Sequence, residues 1–326
     1  MHPARCHRGG HRCTRIALSL LFLLANVATA DEAKCLFVSS YHRGYAWSDG
    51  VERGLRETLE GKCRIRQFDM DTKRKKSLEE KKAAANEARA LIESWQPDIV
   101  ITADDNAAKY LIKPFYRDKD LPFVFCGVNW TVKEYGFPYR NVTGMIEVAP
   151  VKAMIEEARA LTPGASRALY IGADTPTEKK NAARIRQVVE GQGLGFEQHF
   201  SSSLRSWIAT YEAGQKYDFI IIGSNAGIDD WDNAAAFEAI KPLTTRLTVT
   251  SHEWMMPVTM LGMTKIPEEQ GEWAGKVALQ ILDGAIPNSI PVIANRKWDL
   301  YLNPALVESA GLKLPIQLLS KGKVYQ

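Results

Sequence analysis

The sequence predicts an α/β fold with two doubly wound, Rossmann-like parallel-sheet lobes, and three features predict it. Short apolar, β-branched runs alternate with longer helical stretches along most of the chain, the order expected of strand-helix-strand units. Runs such as DIVIT (98–102) and FIIIG (219–223) are apolar on both faces, so helices must cover both sides of each sheet. The rhythm runs from Lys34 to about Cys126, breaks at GVNWTVKEYGFPYRNVTG (127–144) and restarts at Arg167. A chain of 326 residues is long for one such sheet and suits two.

In the first half the strands are expected at 34–40, 63–68, 98–102 and 122–126, with helices at 48–59, 77–95 and 105–117. Ser48 or Asp49 has the side chain of an N-cap for the first helix. The second half opens with a helix at 150–161. It continues with strands at 167–172, 196–200, 218–223, 246–251 and 258–263, separated by helices at 177–190, 204–214 and 231–241, and it closes with a helix at 268–283. Gly191, Gly193 and Gly195 end a helix rather than forming a phosphate loop. The segment 287–304 is rich in Pro and Asn and reads as a connector or an edge strand.

Composition bounds the class. With 45% hydrophobic and 25% charged residues, the chain is neither a disordered tail, a collagen nor a polytopic membrane protein. Four of its 42 Lys and Arg residues are Arg5, Arg8, Arg12 and Arg15, and no acid accompanies them before Asp31. The remaining basic residues balance the 38 Asp and Glu, so no general positive field exists to collect nucleic acid. The locally basic run 73–82 (KRKKSLEEKK) continues with mixed signs and reads as a solvated helix face.

The N-terminal charge belongs to a targeting segment. Basic residues 1–15, an apolar run at 16–28 and Ala28-Thr29-Ala30 match a cleavable signal peptide, residues 1–30. The apolar run is shorter than the ~20 residues that span a bilayer. The expected product is a periplasmic monomer starting at Asp31, with no stable membrane insertion. It retains Cys35, Cys63 and Cys126, without the paired spacing of thiolate metal sites. Cys35 and Cys63 each open an expected strand, so an oxidising compartment permits a disulfide between them; the alternative is two buried free thiols.

In open parallel sheets ligands bind beyond the carboxyl ends of the strands. After the first strand stand Tyr41, His42, Tyr45 and Trp47, flat rings able to stack on a planar ligand. After DIVIT stand Asp104 and Asp105: one can cap the following helix, while the other can receive an ammonium or hydroxyl. Asn129 and Trp130 hold the matching place one strand over. Ser224 and Asn225 follow FIIIG, and Glu253 and Trp254 follow LTVTS. The alternative for the aromatic residues is that they seal the lobes against each other.

Several stretches carry a family resemblance: PDIVITADDNAAKYLIKPFYRDKDLPFVFCGV, NVTGMIEVAPVKAMIEEARALTPGASRALYIG, YDFIIIG and EWAGKVALQILDGAIPNSIPV. Together they resemble the ABC transporter substrate-binding proteins of the periplasmic binding protein type I class, a subgroup of which binds aromatic amino acids. The opening SSYHRGYAWSDGVERGL also resembles extracytoplasmic sensor modules found beside histidine kinases and cyclic-dinucleotide enzymes. The resemblance implies three crossings between the lobes, near 141–148, 256–260 and 287–292. Lobe one is then 31–147 plus 258–289, and lobe two 148–257 plus 290–326. It also implies that Asp174, Thr175 and Thr177, after RALYIG, face the ligand.

No HExxH, GxSxG, P-loop or strand-following GxGxxG occurs, and no cofactor or metal is expected. The expectation is a non-enzymatic solute-binding protein that captures a small organic ligand, an amino acid or similar molecule with a flat apolar part, and delivers it to an ABC permease. The alternatives are a sensing module that presses its closed form on a membrane sensor kinase or cyclase, and an enzyme acting on a small molecule in the cleft.

Overall fold

The computed structural model describes residues 32–325; the expected signal segment lies outside them. The first sheet contains β1 (Lys34–Ser39), β2 (Arg64–Asp69), β3 (Ile99–Ala103), β4 (Phe123–Asn129), β5 (Val142–Glu147) and a short β11 (Ile293–Ala294). Its order is β2-β1-β3-β4-β5-β11, and every pair is parallel. The second sheet contains β6 (Arg167–Ala173), β7 (Gly195–Ser201), β8 (Phe219–Ile222), β9 (Leu247–Thr250), β10 (Leu261–Lys265), β12 (Trp298–Leu302) and β13 (Lys323–Val324). Its order is β7-β6-β8-β9-β10-β12-β13, with β12 antiparallel to β10.

The first five strands of each sheet therefore share one winding. Chain direction across the sheet reverses between β1 and β3, and again between β6 and β8. These switch points leave a crevice beyond the strand ends, because the connections to either side diverge.

Helices cover both faces of the first sheet. Cys35, Phe37, Ile99, Ile101 and Val124 point to one side, where α1 (Ala46–Leu59) and α9 (Pro267–Leu282) lie. Leu36, Val38, Val100, Phe123 and Phe125 point to the other, covered by α2 (Leu78–Trp95). The alternation is the two-residue side-chain period of a strand with both faces buried. α2 starts at a capping box, in which Ser77 and Glu80 satisfy each other's backbone N–H groups. Beyond β3 come α3 (Asp104–Ala107), a π-helical turn at Ala108–Ile112 and α4 (Lys113–Phe115). Around the second sheet lie α5 (Val151–Leu161), α6 (Pro176–Gly191), α7 (Leu204–Gly214) and α8 (Asn233–Ile240).

α1 and α9 touch backbone to backbone. A Cβ on Gly54 would lie 2.2 Å from the Glu268 carbonyl oxygen, and one on Gly271 2.0 Å from that of Val51. Close approach, rather than turn geometry, requires these glycines. Cys35 and Cys63 are bridged, with Cα atoms 6.0 Å apart, inside the range a disulfide spans. Cys35 itself pairs in register with Ile65, so the bridge runs diagonally.

Two expected boundaries fall elsewhere. Residues 258–263 were expected as a strand in lobe one, but Glu253–Val258 forms a 3-10 turn and the strand is Leu261–Lys265, paired with β9 in the second sheet. It supplies that sheet's fifth strand before the chain crosses. Residues 290–294 were expected in lobe two, yet β11 pairs with β5 and the Thr143 hydroxyl donates to the Ile290 carbonyl at 2.7 Å. The second crossing therefore follows Lys265 and the third follows Ala294. Segment 142–147, expected only as a crossing, is a full strand.

The crossings are tied together. The Val148 N–H donates to Asn295 Oδ1 at 2.7 Å. The buried Glu269 carboxylate accepts from the N–H groups of Arg296 and Lys297, each at 2.8 Å. Lys265 donates to Glu147, joining the ends of β10 and β5.

Candidate functional site

A cleft of about 1090 Å3 opens beyond the carboxyl ends of both sheets. On the first sheet's side, the β1 and β3 loops meet at its floor. The Ser40 hydroxyl donates to the Ala103 carbonyl at 2.5 Å and accepts from the Ala107 N–H at 2.9 Å, clamping the turn that carries Asp104. Asp104 has φ 69°, left-handed geometry that costs a non-glycine residue about 1 kcal/mol or more and persists only where surroundings enforce it. Its side chain lines the cleft at 2% exposure. Among the described residues its Oδ2 and the indole N–H of Trp47 each lack a hydrogen bond of ordinary geometry, yet the indole stands near enough to the carboxyl to pull its pKa down.

Charges crowd this corner. Burial, then Glu147 and Asp105, push the Asp104 carboxyl well above the usual carboxylate range. Glu147, buried at the end of β5, is also pushed up by burial, against the opposing pull of Lys265. The Lys265 ammonium lies 5.0 Å from the Trp47 ring centre. That of Lys73 lies 4.4 Å from the Tyr41 ring and 4.7 Å from the Tyr45 ring. Burial and the Asp104 and Asp105 carboxylates raise the Tyr41 phenol.

The opposite wall comes mainly from the second sheet. Thr175 caps α6 by accepting the Glu178 N–H at 3.2 Å. The Glu178 carboxylate accepts from the Tyr170 hydroxyl, from the Ser224 N–H at 2.7 Å and from Asn181 Nδ2 at 3.3 Å. Burial raises its pKa, against those hydrogen bonds. The rings of His252 and Trp254 lie 4.5 Å apart. Burial and Lys265 push His252 down to about 3, so it is neutral at physiological pH. Trp130 leaves the end of β4 with φ 61° and packs against the second core, with the Arg184 guanidinium 4.9 Å from its ring centre.

Of the residues singled out from sequence, Tyr41, Tyr45, Trp47, Asp104, Asn129 and Trp130 line the cleft from the first sheet's strand ends. Thr175, Thr177, Ser224, Glu253 and Trp254 line it from the second's. Four others do not. His42 turns toward Asp71, with Nδ1 3.2 Å from Oδ1. Asp105 neither caps a helix nor faces the cleft, because it accepts from Asn129 Nδ2 at 2.7 Å and from the Tyr135 hydroxyl at 2.6 Å. Asp174 pairs with Lys179 at 2.6 Å. The Asn225 carbonyl closes a turn by accepting the Ile228 N–H at 2.9 Å.

Lys73, Glu147, Glu178, Lys265 and Tyr301 also line the cleft, and sequence reasoning missed them. Lys73 belongs to the loop before α2, not to its solvated face. Glu147 and Lys265 left one signal, a charge ending an otherwise apolar strand (VTGMIE, LGMTK).

The family model for the ABC transporter substrate binding protein matches residues 37–324. The chain belongs to that family. Among solved structures, this substrate-binding protein is similar to an ABC domain in complex with L-Trp from Streptococcus pneumonia, at 18% identity and TM-score 0.59, covering 90% of this chain and 99% of that one. It is also similar to a ligand-free, open substrate-binding protein with adhesive properties from Clostridium difficile, at 13% identity and TM-score 0.72, with the same coverage. An arabinose-binding protein from Geobacillus stearothermophilus matches at 10% identity and TM-score 0.60, over 85% of this chain and 99% of that one. No curated protein matches the chain. At these identities the structures establish the type I periplasmic binding protein fold, and family membership supports a solute-binding role. Members of such families are usually extracellular or periplasmic, and among the described residues no helix is long and apolar enough to cross a membrane.

Proposed function

We propose that this substrate-binding protein is exported through a cleavable signal peptide and captures a small organic molecule with a flat apolar part in the cleft. As a monomer it then delivers that molecule to an ABC permease. One observation carries the reading: aromatic rings from both sheets, Tyr41, Tyr45 and Trp47 on one side and Trp254 on the other, line the same cleft as a buried carboxyl, that of Asp104, which among the described residues has no ion pair. Flat faces supply contact area, and a few placed polar atoms supply orientation. Trp254 is 53% exposed, which suits a plate that a ligand covers. Rocking about the three crossings would close the lobes on the guest.

A thermal-shift screen of the exported chain against amino acids, purines, sugars and organic acids tests this, with L-Trp in the panel because a structural relative holds it. A true ligand at about 100 times its Kd stabilises the fold by ~2.7 kcal/mol. Trp47→Ala is expected to abolish the shift, and a panel without any shift overturns the reading. The resemblance of the opening segment to sensor modules supports a second reading, in which the closed form engages a membrane sensor. Neighbouring genes for a permease and ATPase, or for a sensor, decide between the two.

A further inference from the structure

The charges of the cleft are unequally committed. Among the described residues three of its four Lys and Arg side chains already hold a carboxylate: Arg53 on Glu268 at 2.5 Å, Lys265 on Glu147, and Lys323 on Asp299 at 2.6 Å. The fourth, Lys73, lies over the faces of Tyr41 and Tyr45. Among the described residues a ligand carboxylate thus finds one Lys or Arg of the cleft without an ion pair, Lys73, and that one lies over two rings and already pulls on the Asp104 and Glu147 carboxyls. The second sheet's strand ends offer no replacement. N–H groups at the first turn of a helix favour an anion, but at α6 that ground is held by Glu178, which also takes the Ser224 N–H.

A positive group meets the opposite situation. Asp104 is buried and lines the cleft; among the described residues no ion pair holds it, its Oδ2 lacks a hydrogen bond of ordinary geometry, and the groups that pull its carboxyl toward the ionised form are the Lys73 ammonium and the Trp47 indole. The rings beside it already accept ammonium groups at 4.4 to 5.0 Å, the geometry of a cation over an electron-rich face. Gly127 packs against the carboxyl: a Cβ there would stand 3.1 Å from Asp104 Oδ1.

We infer that the ligand is an organic cation, an amine with a flat apolar part and a net positive charge rather than a zwitterion or an acid, and that Asp104 receives its ammonium group. This rests on the solute-binding reading above and narrows it.

Titration calorimetry with three matched pairs of probes tests the inference: tryptamine and phenethylamine, L-Trp and L-Phe, and indole-3-propionate and 3-phenylpropionate. The amines are expected to bind most tightly and the deaminated acids not measurably. Asp104→Asn keeps the shape of the side chain and is expected to weaken amine binding by about ten- to hundredfold, as loss of a hydrogen bond to a charged group does. The comparison among wild-type probes needs no variant, so it stands even if Asp104→Asn misfolds. Tighter binding of the zwitterion or the acid overturns the inference, as does undiminished amine binding by Asp104→Asn. A sugar, purine or organic-acid ligand with no amine binding overturns it while leaving the solute-binding reading intact. No binding by any class counts against both.

Discussion

Asp104 shows how a single residue joins stability to function. Its carboxyl is raised in the folded state, first by burial and then by Glu147 and Asp105, with Lys73 and the Trp47 indole opposing; Tyr41 and Cys126 titrate under its influence in turn. The unfolded chain releases this proton in the ordinary carboxylate range, and the unliganded folded chain only at higher pH; an ammonium guest beside the carboxyl favours its ionised form and releases the proton to solvent on binding. The folded form therefore holds more protons between those values, and its stability falls as pH rises from the first to the second. Asp104→Asn is expected to raise the unliganded melting midpoint at neutral pH and to flatten its pH dependence over that window, read by thermal melts across a pH series. A midpoint lowered by the substitution contradicts the assignment. The sequence showed that Asp104 and Asp105 were adjacent acids after a buried strand, but not which one turns inward. The left-handed backbone at Asp104 and the bonds from Asn129 and Tyr135 to Asp105 depend on partners far along the chain.

At the scale of elements, the strands were legible because both faces of each central strand are apolar, and burial on two sides leaves little other choice. The packing of α1 on α9 was not, because it joins segments more than 200 residues apart through glycines with no periodic signature. Both helices serve the site: α1 carries Trp47, and α9 starts where the second crossing ends. Gly271→Ala puts a methyl group 2.0 Å from the Val51 carbonyl oxygen. Forcing the helices apart is expected to cost about 1–3 kcal/mol or more and to weaken ligand binding as Trp47 shifts. Urea denaturation and ligand titration of the variant check both effects. Unchanged stability would mean that the two helices separate without penalty.

Across the whole molecule, the crossings between lobes are held by polar contacts that no local pattern announces. Lys265 and Glu147 join the first and second crossings, and Glu147 is buried. Lys265→Met leaves a buried carboxyl without its partner, which costs about 3–5 kcal/mol. Adding Glu147→Leu to that variant is expected to recover most of the loss, and a chemical-denaturation double-mutant cycle measures it. Loss in the double variant equal to that in the single one contradicts the coupling. The amino-acid order alone determined the α/β class, the repeated strand-helix rhythm in two halves and most of the aromatic residues of the cleft, because these follow from periodicity and from the rule that loops at strand ends meet a crevice. Only the tertiary structure decided where the chain passes between lobes, which acid faces inward and how the cleft's charges pair. Each of those depends on residues brought together from distant parts of the chain, and charge pairing leaves no period in a sequence.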